Sequence, residues 1–244
     1  MYLEEYFQGM DRLLRRIRET QRGVIVEAAK AVAASLANKG ALAVMDTGHM
    51  LRHEALCRAG GLMAISPFAY SLHVENTMDQ RRTERSVEET AALERQTVAL
   101  ALDSSKMRAG DVLIINSNSG RTPNVIETAI QCKERRITTV AICSFEQMRR
   151  CAAAHPSGKK LFDVANICID NCTPYGDAMI EITDNERACP ASGIAGAYVF
   201  WAIQAEAIER LQAGGVNPTI YRSVHVSGQE YIDRQREQFL KQGV

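Results

Sequence analysis

With 244 residues, 46% of them apolar, the chain is long enough for one large α/β domain, two small domains being the alternative. Lysine plus arginine equals aspartate plus glutamate at 29 each, which removes the basic footprint of a nucleic-acid binder. No apolar run approaches the roughly 18 to 20 residues that span a bilayer, and the charged start MYLEEYFQGMDRLLRR lacks the apolar core of a signal peptide. A soluble, cytoplasmic protein with no nucleic-acid or membrane partner is expected.

From residue 2 to 17, Leu3, Tyr6, Phe7, Met10, Leu13, Leu14 and Ile17 recur at helical spacing, with acids early and arginines late. A second helix runs over about 23–37, with Val24, Ile25, Ala28, Val32 and Leu36 on one stripe, and ends near Asn38-Lys39-Gly40. The first strand is ALAVMD, 41–46, followed by a Thr47-Gly48 turn, a helix over about 49–59, Gly60-Gly61 and a second apolar run, LMAIS. A charged segment over about 79–104 reads as a long helix carrying Val87, Ala91, Leu93, Thr97, Val98 and Ala101.

That helix leads into the strand DVLIIN and the loop NSNSGRTPN, 116–124. A helix over 124–135, the strand ITTVAIC, a helix FEQMRRCAAA, a loop HPSGKK and the strand-like VANICID follow. Five short apolar strands alternating with helices imply a parallel sheet covered on both faces. The last third holds PYGDAMIEI, a small-residue helix over about 191–211, and a polar tail ending in the helical QEYIDRQREQFLKQ. The division expected is one domain over 1–244: helices at 1–38, sheet and helices over 39–212, and a tail over 213–244.

Seven cysteines, at 57, 132, 143, 151, 168, 172 and 189, are odd in number and form no C-x-x-C pair, which argues for reduced, structural thiols. Cys168 and Cys172 are the nearest pair, but zinc would need further ligands in register.

The loop over 116–124 is the strongest functional signal. Ser117, Ser119 and Thr122 offer hydroxyls, Gly120 can bring amides toward a ligand, and Pro123 suits a first helical turn with Thr122 as cap. Free N–H groups and the positive helix end converge there. The loop lacks the Lys-Ser or Lys-Thr pair of a Walker loop and the spaced glycines of a dinucleotide site, so a compact tetrahedral anion fits best. A polar turn that merely caps the helix is the alternative. The Thr47-Gly48 turn and this loop both follow strands at the carboxyl edge, where such sheets bind ligands.

The stretch DVLIINSNSGRTPNVIETAIQCKERRITTVAIC resembles the sugar isomerase (SIS) domain, whose signature is a strand, a Ser-x-Ser-Gly-x-Thr/Ser loop, a helix and a second strand. RAGG at 58–61, PYGDA at 174–178 and the helix SGIAGAYVFWAIQAEAIERL are similar to the stand-alone, phosphoheptose-isomerase-like branch of that family. The resemblance implies an α/β fold: a three-layer α/β/α sandwich around a five-stranded parallel sheet of flavodoxin-like order, with an N-terminal helical extension. It also implies a homodimer or homotetramer with sites near subunit interfaces. Ser117, Asn118, Ser119 and Thr122, with amides around Gly120 and Arg121, would hold a phosphate. Thr47, Gly48 and Ser192 join them as candidate substrate contacts, Ser192 capping its helix being the alternative. Met45-Asp46-Thr47-Gly48-His49 departs from the glycine-rich turn of relatives, and Asp46 would repel a phosphate unless it binds sugar hydroxyls or pairs with an arginine.

Aldose–ketose isomerisation through an enediol needs a tuned base and a group that polarises the carbonyl oxygen. The helix after the first strand supplies His49, His53 and Glu54. His49 and His53 share a face, while Glu54 lies about 100° further round. Relatives carry a glutamate shortly before RAGG, which implies Glu54 as the acid/base, with His49 for ring opening. His73, two residues from Glu75 after the second strand, is the further catalytic candidate. His225 in the tail is a candidate to approach a neighbouring subunit's site, and His155 reads as a surface loop residue.

No cofactor is expected. Zinc is the alternative, on His49 and His53 with Glu54, Asp46 or His73 as third ligand. The activity expected is isomerisation of a phosphorylated or sulfonated monosaccharide, the alternatives being a non-catalytic phosphosugar sensor and a sugar-phosphate lyase or etherase.

Overall fold

The computed structural model describes residues 1–47, 51–75 and 84–244, leaving aside the side chains of Leu51 and Arg52. Two helices open the chain, α1 (Tyr2–Thr20) and α2 (Arg22–Ala37), followed by β1 (Leu42–Asp46), α3 (Leu51–Ala55) and β2 (Ile65–Pro67). Next come α4 (Val87–Ser105), β3 (Val112–Asn116), α5 (Pro123–Glu134), β4 (Thr138–Cys143), α6 (Phe145–Arg150), α7 (Leu161–Val164) and β5 (Ile167–Asp170). The remainder is a hairpin, β6 (Ala178–Thr183) with β7 (Glu186–Pro190), then α8 (Ser192–Ala213), α9 (Val224–Ser227) and α10 (Gln229–Gln242).

The five parallel strands lie in the order β2-β1-β3-β4-β5. Chain direction across the sheet reverses between β1 and β3, so the loops leaving those two strands part and open a crevice at the carboxyl edge. Alternation along the strands divides the core. Leu42, Val44, Val112, Ile114, Val140 and Ile142 pack on α1, α2 and α8, whereas Ala43, Met45, Leu113, Ile115, Ala141 and Cys143 pack on α4 and α5. Both faces are apolar and both are covered, which is the expected three-layer sandwich.

Several expected elements change length. The helix after β1 occupies Leu51–Ala55 among the described residues and does not reach residue 59, because Cys57 (φ 54°) and Gly60 (φ 92°) turn the chain into the left-handed region. Only three residues of the second apolar region, 65–67, join the sheet. The backbone of 60–63 pairs instead with the tail: Met63 N–H donates to the Thr219 carbonyl at 3.0 Å and Tyr221 N–H to that of Gly61 at 2.9 Å. The long helix begins at Val87, set by a capping box in which Ser86 Oγ accepts from Glu89 N–H and Glu89 Oε2 from Ser86 N–H, at 3.1 and 2.9 Å. Helix α6 stops at Arg150, and Lys160 Nζ donates to the Met148 carbonyl at its end. The hairpin β6–β7 adds two antiparallel strands to the elements expected from the sequence.

None of the cysteines is paired: Cys57 and Cys189 are exposed, and Cys132, Cys143 and Cys172 are buried. Burial pushes the Cys132 thiol up to about 12 and that of Cys168 up to about 11, and also raises Cys143 well above the usual thiol value. Among the described residues no helix is long and apolar enough to cross a membrane.

Candidate functional site

The carboxyl ends of β1 and β3 lie side by side, with Asp46 opposite Asn116. Asn116 Nδ2 donates to Asp46 Oδ1 at 2.7 Å, and its carbonyl accepts from Thr47 N–H at 3.1 Å and Thr47 Oγ1 at 3.3 Å. From the opposite layer Gly196 of α8 approaches so closely that a Cβ there would stand 3.1 Å from Asn116 Oδ1. A glycine therefore lets the helix sit against the strand end.

From Asn116 the chain enters the hydroxyl loop, which is anchored along its length. Ser117 N–H donates to the Ile142 carbonyl at 3.0 Å, and the Asn118 carbonyl accepts from Ser144 N–H at 3.0 Å. Asn118 Oδ1 accepts from Asn171 Nδ2 at 2.9 Å and Thr173 Oγ1 at 3.1 Å, so this side chain braces the loop against the segment leaving β5. Gly120 takes φ 53°, and a Cβ on it would stand 2.5 Å from Met148 Sδ and 3.0 Å from Leu161 Cβ. Its carbonyl accepts from Leu161 N–H at 2.8 Å. Conformation and packing both demand glycine.

Within this rigid loop the hydroxyls are unspent. Ser117, Ser119 and Thr122 have no side-chain hydrogen bond to the described residues, and Thr122 holds the N-cap position of α5 without its side chain capping the helix. The capping role expected of that hydroxyl is therefore not seen, although Pro123 does occupy the first turn. Arg121 is exposed at the loop tip. Loop hydroxyls, a guanidinium and a twelve-residue helix's positive end thus share one edge of the crevice.

The remaining expected residues have surroundings of their own. Glu54 Oε1 accepts from Trp201 Nε1 at 3.3 Å and pairs with Arg58 at 3.2 Å, tying α3 to α8. His53 is exposed on α3. Gly48 and His49 lie outside the described residues. His73 and Glu75 are exposed, and their neighbours Leu72 and Val74 line a cleft of about 530 Å³ with Tyr70, Thr90, Thr97 and Asn124. This larger cleft flanks the first turn of α5 rather than the loop hydroxyls. The Tyr70 hydroxyl is buried there beside Thr128 and Asn124 without meeting either in hydrogen-bond geometry, and burial raises its pKa.

Ser192 is committed to Asp177, its N–H and Oγ donating to the two carboxylate oxygens at 2.7 and 2.6 Å. His225 is exposed on α9. His155 is not a free surface residue: its Nε2 lies 3.2 Å from Oε2 of buried Glu127, and its Nδ1 2.7 Å from Ser157 Oγ. The loop HPSGKK is pinned to α5 through that pair.

Sequence reasoning passed over Asn116, Asn171, Thr173 and Asp177, which organise the edge. For Asn116 and Asn171 the signal is the polar residue that closes or follows a buried strand, as in VLIIN and ICIDN, whereas Thr173 and Asp177 carry no such mark.

The SIS domain profile matches residues 5–144, more than half of the chain. The chain belongs to the SIS domain family. This SIS-domain chain is 32% identical over 239 residues to a UPF0309 protein of Caldanaerobacter subterraneus subsp. tengcongensis, covering 94% of this chain and 92% of the relative. It is 31% identical over 243 residues to a UPF0309 protein of Listeria innocua serovar 6a, covering 96% of each. Among solved structures, the phosphoheptose isomerase of Neisseria gonorrhoeae superposes with TM-score 0.51 at 16% identity, over 86% of this chain and 97% of that one. A phosphoheptose isomerase from Francisella tularensis gives 0.50 at 14% identity, over 84% and 94%. At these identities the likeness concerns the fold alone.

Proposed function

We propose that this SIS-domain protein binds a phosphorylated or sulfonated monosaccharide through its hydroxyl loop and interconverts the aldose and ketose forms by proton transfer through an enediol. The observation that carries the reading is the loop itself: its backbone is anchored at Ser117, Asn118 and Gly120 while the hydroxyls of Ser117, Ser119 and Thr122 make no bond to the other described residues. A tetrahedral anion uses such donors without moving the scaffold, and preorganised donors bind without an ordering cost. The names of the structurally similar phosphoheptose isomerases support the sugar-phosphate class.

In this scheme Ser117, Ser119 and Thr122, with the amides about Gly120 and the charge of Arg121, hold the anion. Asn118 positions the loop. Thr47, Gly48 and Ser192 border the sugar, and Glu54 moves the proton with His49 or His73 at the carbonyl oxygen. The transfer uses side chains alone, without metal or cofactor. The working unit is a homodimer or homotetramer, a reading supported by the apolar Tyr2, Leu3 and Phe7 that α1 leaves exposed.

A non-catalytic phosphosugar sensor is favoured by one observation: the Glu54 carboxylate is already engaged by Trp201 and Arg58. Incubation with a panel of aldose and ketose phosphates and sulfonates in deuterated water separates the readings. Isomerisation gives solvent deuterium at C1 or C2, lost in Glu54→Gln while binding persists. Binding without exchange across the panel selects the sensor, and elimination products select the lyase chemistry.

A further inference from the structure

A second cleft, of about 270 Å³, opens between α1 and the β6–β7 hairpin, beyond the β4 and β5 end of the sheet. Arg12 and Arg16 of α1 and Arg187 of β7 line it, over a floor that includes Leu13 and Met179. Among the described residues none of these three guanidiniums has a carboxylate partner. The one acid in the lining, Glu146, is paired with Arg150 at 2.9 Å. The chain as a whole is neutral, so this concentration of unneutralised positive charge is local.

The arginines come from elements about 170 residues apart in sequence, brought together because α1 packs on β6. Guanidinium forks match pairs of oxygens on phosphate or carboxylate, and cations converging on a concave, low-dielectric surface concentrate anions there. A cleft of this volume suits a small molecule rather than a polymer.

It is separate from the hydroxyl loop. The segment after β5 divides the two, with Asn171 and Thr173 turned to Asn118 and the intervening Cys172 and following Pro174 lining the arginine cleft. Cys172 holds φ 58°, the turn that lets successive side chains face opposite ways.

We infer that the Arg12, Arg16 and Arg187 cleft is a binding site for a compact multivalent oxyanion, distinct from the sugar site. Phosphate and carboxylate anions share the required chemistry. The inference does not depend on the isomerase reading.

Isothermal titration of the full chain with pyrophosphate, and in parallel with citrate, at low ionic strength tests it. Binding is expected to persist when the hydroxyl loop is disabled by Ser119→Ala/Thr122→Val, and to weaken at least tenfold when Arg12→Gln/Arg187→Gln or Arg16→Gln is added to that loop variant. Tighter uptake of pyrophosphate assigns a phosphorylated ligand, and tighter uptake of citrate a carboxylate one. All three arginines are exposed, so the glutamine variants should keep the wild-type circular dichroism. The inference is overturned if neither anion binds, if binding is lost in the loop variant, or if folded arginine variants bind as tightly as the loop variant that carries them. Loss of an oligomer in the arginine variants, with no anion uptake by wild type, would assign the arginines to a subunit contact and equally overturn it.

Discussion

Asn116 and Asp46 close adjacent strands with a 2.7 Å hydrogen bond, and the same asparagine carbonyl holds Thr47. Both loops that border the crevice therefore leave the sheet from one bonded pair. The Asp46 carboxylate, which the sequence placed beside a phosphate, is drawn toward this amide, so its charge is partly used in aligning strand ends.

Replacing Asn116 by Ala removes the 2.7 Å hydrogen bond that joins the ends of β1 and β3. A loss of about 1–3 kcal/mol is expected from removing a partly buried hydrogen bond to a charged acceptor. Urea unfolding should show a lower midpoint with an unchanged slope, and Asn116→Asp should be worse than Asn116→Ala because it sets two carboxylates together.

Gly120→Ala places a Cβ 2.5 Å from Met148 Sδ and forces an L side chain to φ 53°. Strain and overpacking together are expected to cost roughly 2–5 kcal/mol. The thermal shift given by a sugar phosphate should vanish as well. Full stability and an unchanged shift in this variant would sink the account of a rigid loop.

The loop hydroxyls are tested without disturbing its frame. Ser119→Ala and Thr122→Val should leave the ligand-free unfolding midpoint within about 0.5 kcal/mol, as neither hydroxyl bonds another of the described residues. Each should abolish the ligand-dependent part of the shift.

Asp177 accepts from Ala191 N–H at 3.2 Å and from Ser192 N–H at 2.7 Å, satisfying donors at the start of α8. Asp177→Ala should destabilise the protein by about 0.5–2 kcal/mol, the range for a lost helix cap. Asp177→Asn, which keeps an acceptor oxygen, should recover part of that loss in the same thermal assay.

Buried thiols give a pH dependence of known sign. Cys132 is held protonated up to about 12 against 9.0 when unfolded, so from pH 9 upward the unfolded chain releases a proton that the native chain keeps. Stability should fall across that window by about 1 kcal/mol per pH unit for this thiol. Cys132→Val should flatten the slope. Native alkylation at pH 8 should label exposed Cys57 and Cys189 and spare Cys132 and Cys143.

Residue pattern alone specifies the sheet, its two covered faces, and the hydroxyl loop with Pro123 in the first helical turn. These depend on local information: short continuous apolar runs such as VLIIN, and turn chemistry written into a few consecutive residues. Tertiary structure decided what those residues do with their polar groups. It turned Asn118 inward to Asn171 and Thr173, gave Ser192 to Asp177, joined Glu54 to Trp201, and pinned His155 on Glu127. Their partners lie between 15 and 147 residues away, beyond the reach of any local pattern. The cluster of Arg12, Arg16 and Arg187 belongs with them, since only the packing of α1 against β6 brings its members to one cleft. The loop was legible because a helix start and a glycine turn are short-range structures, whereas a charge or hydrogen-bond constellation exists only once the layers have closed.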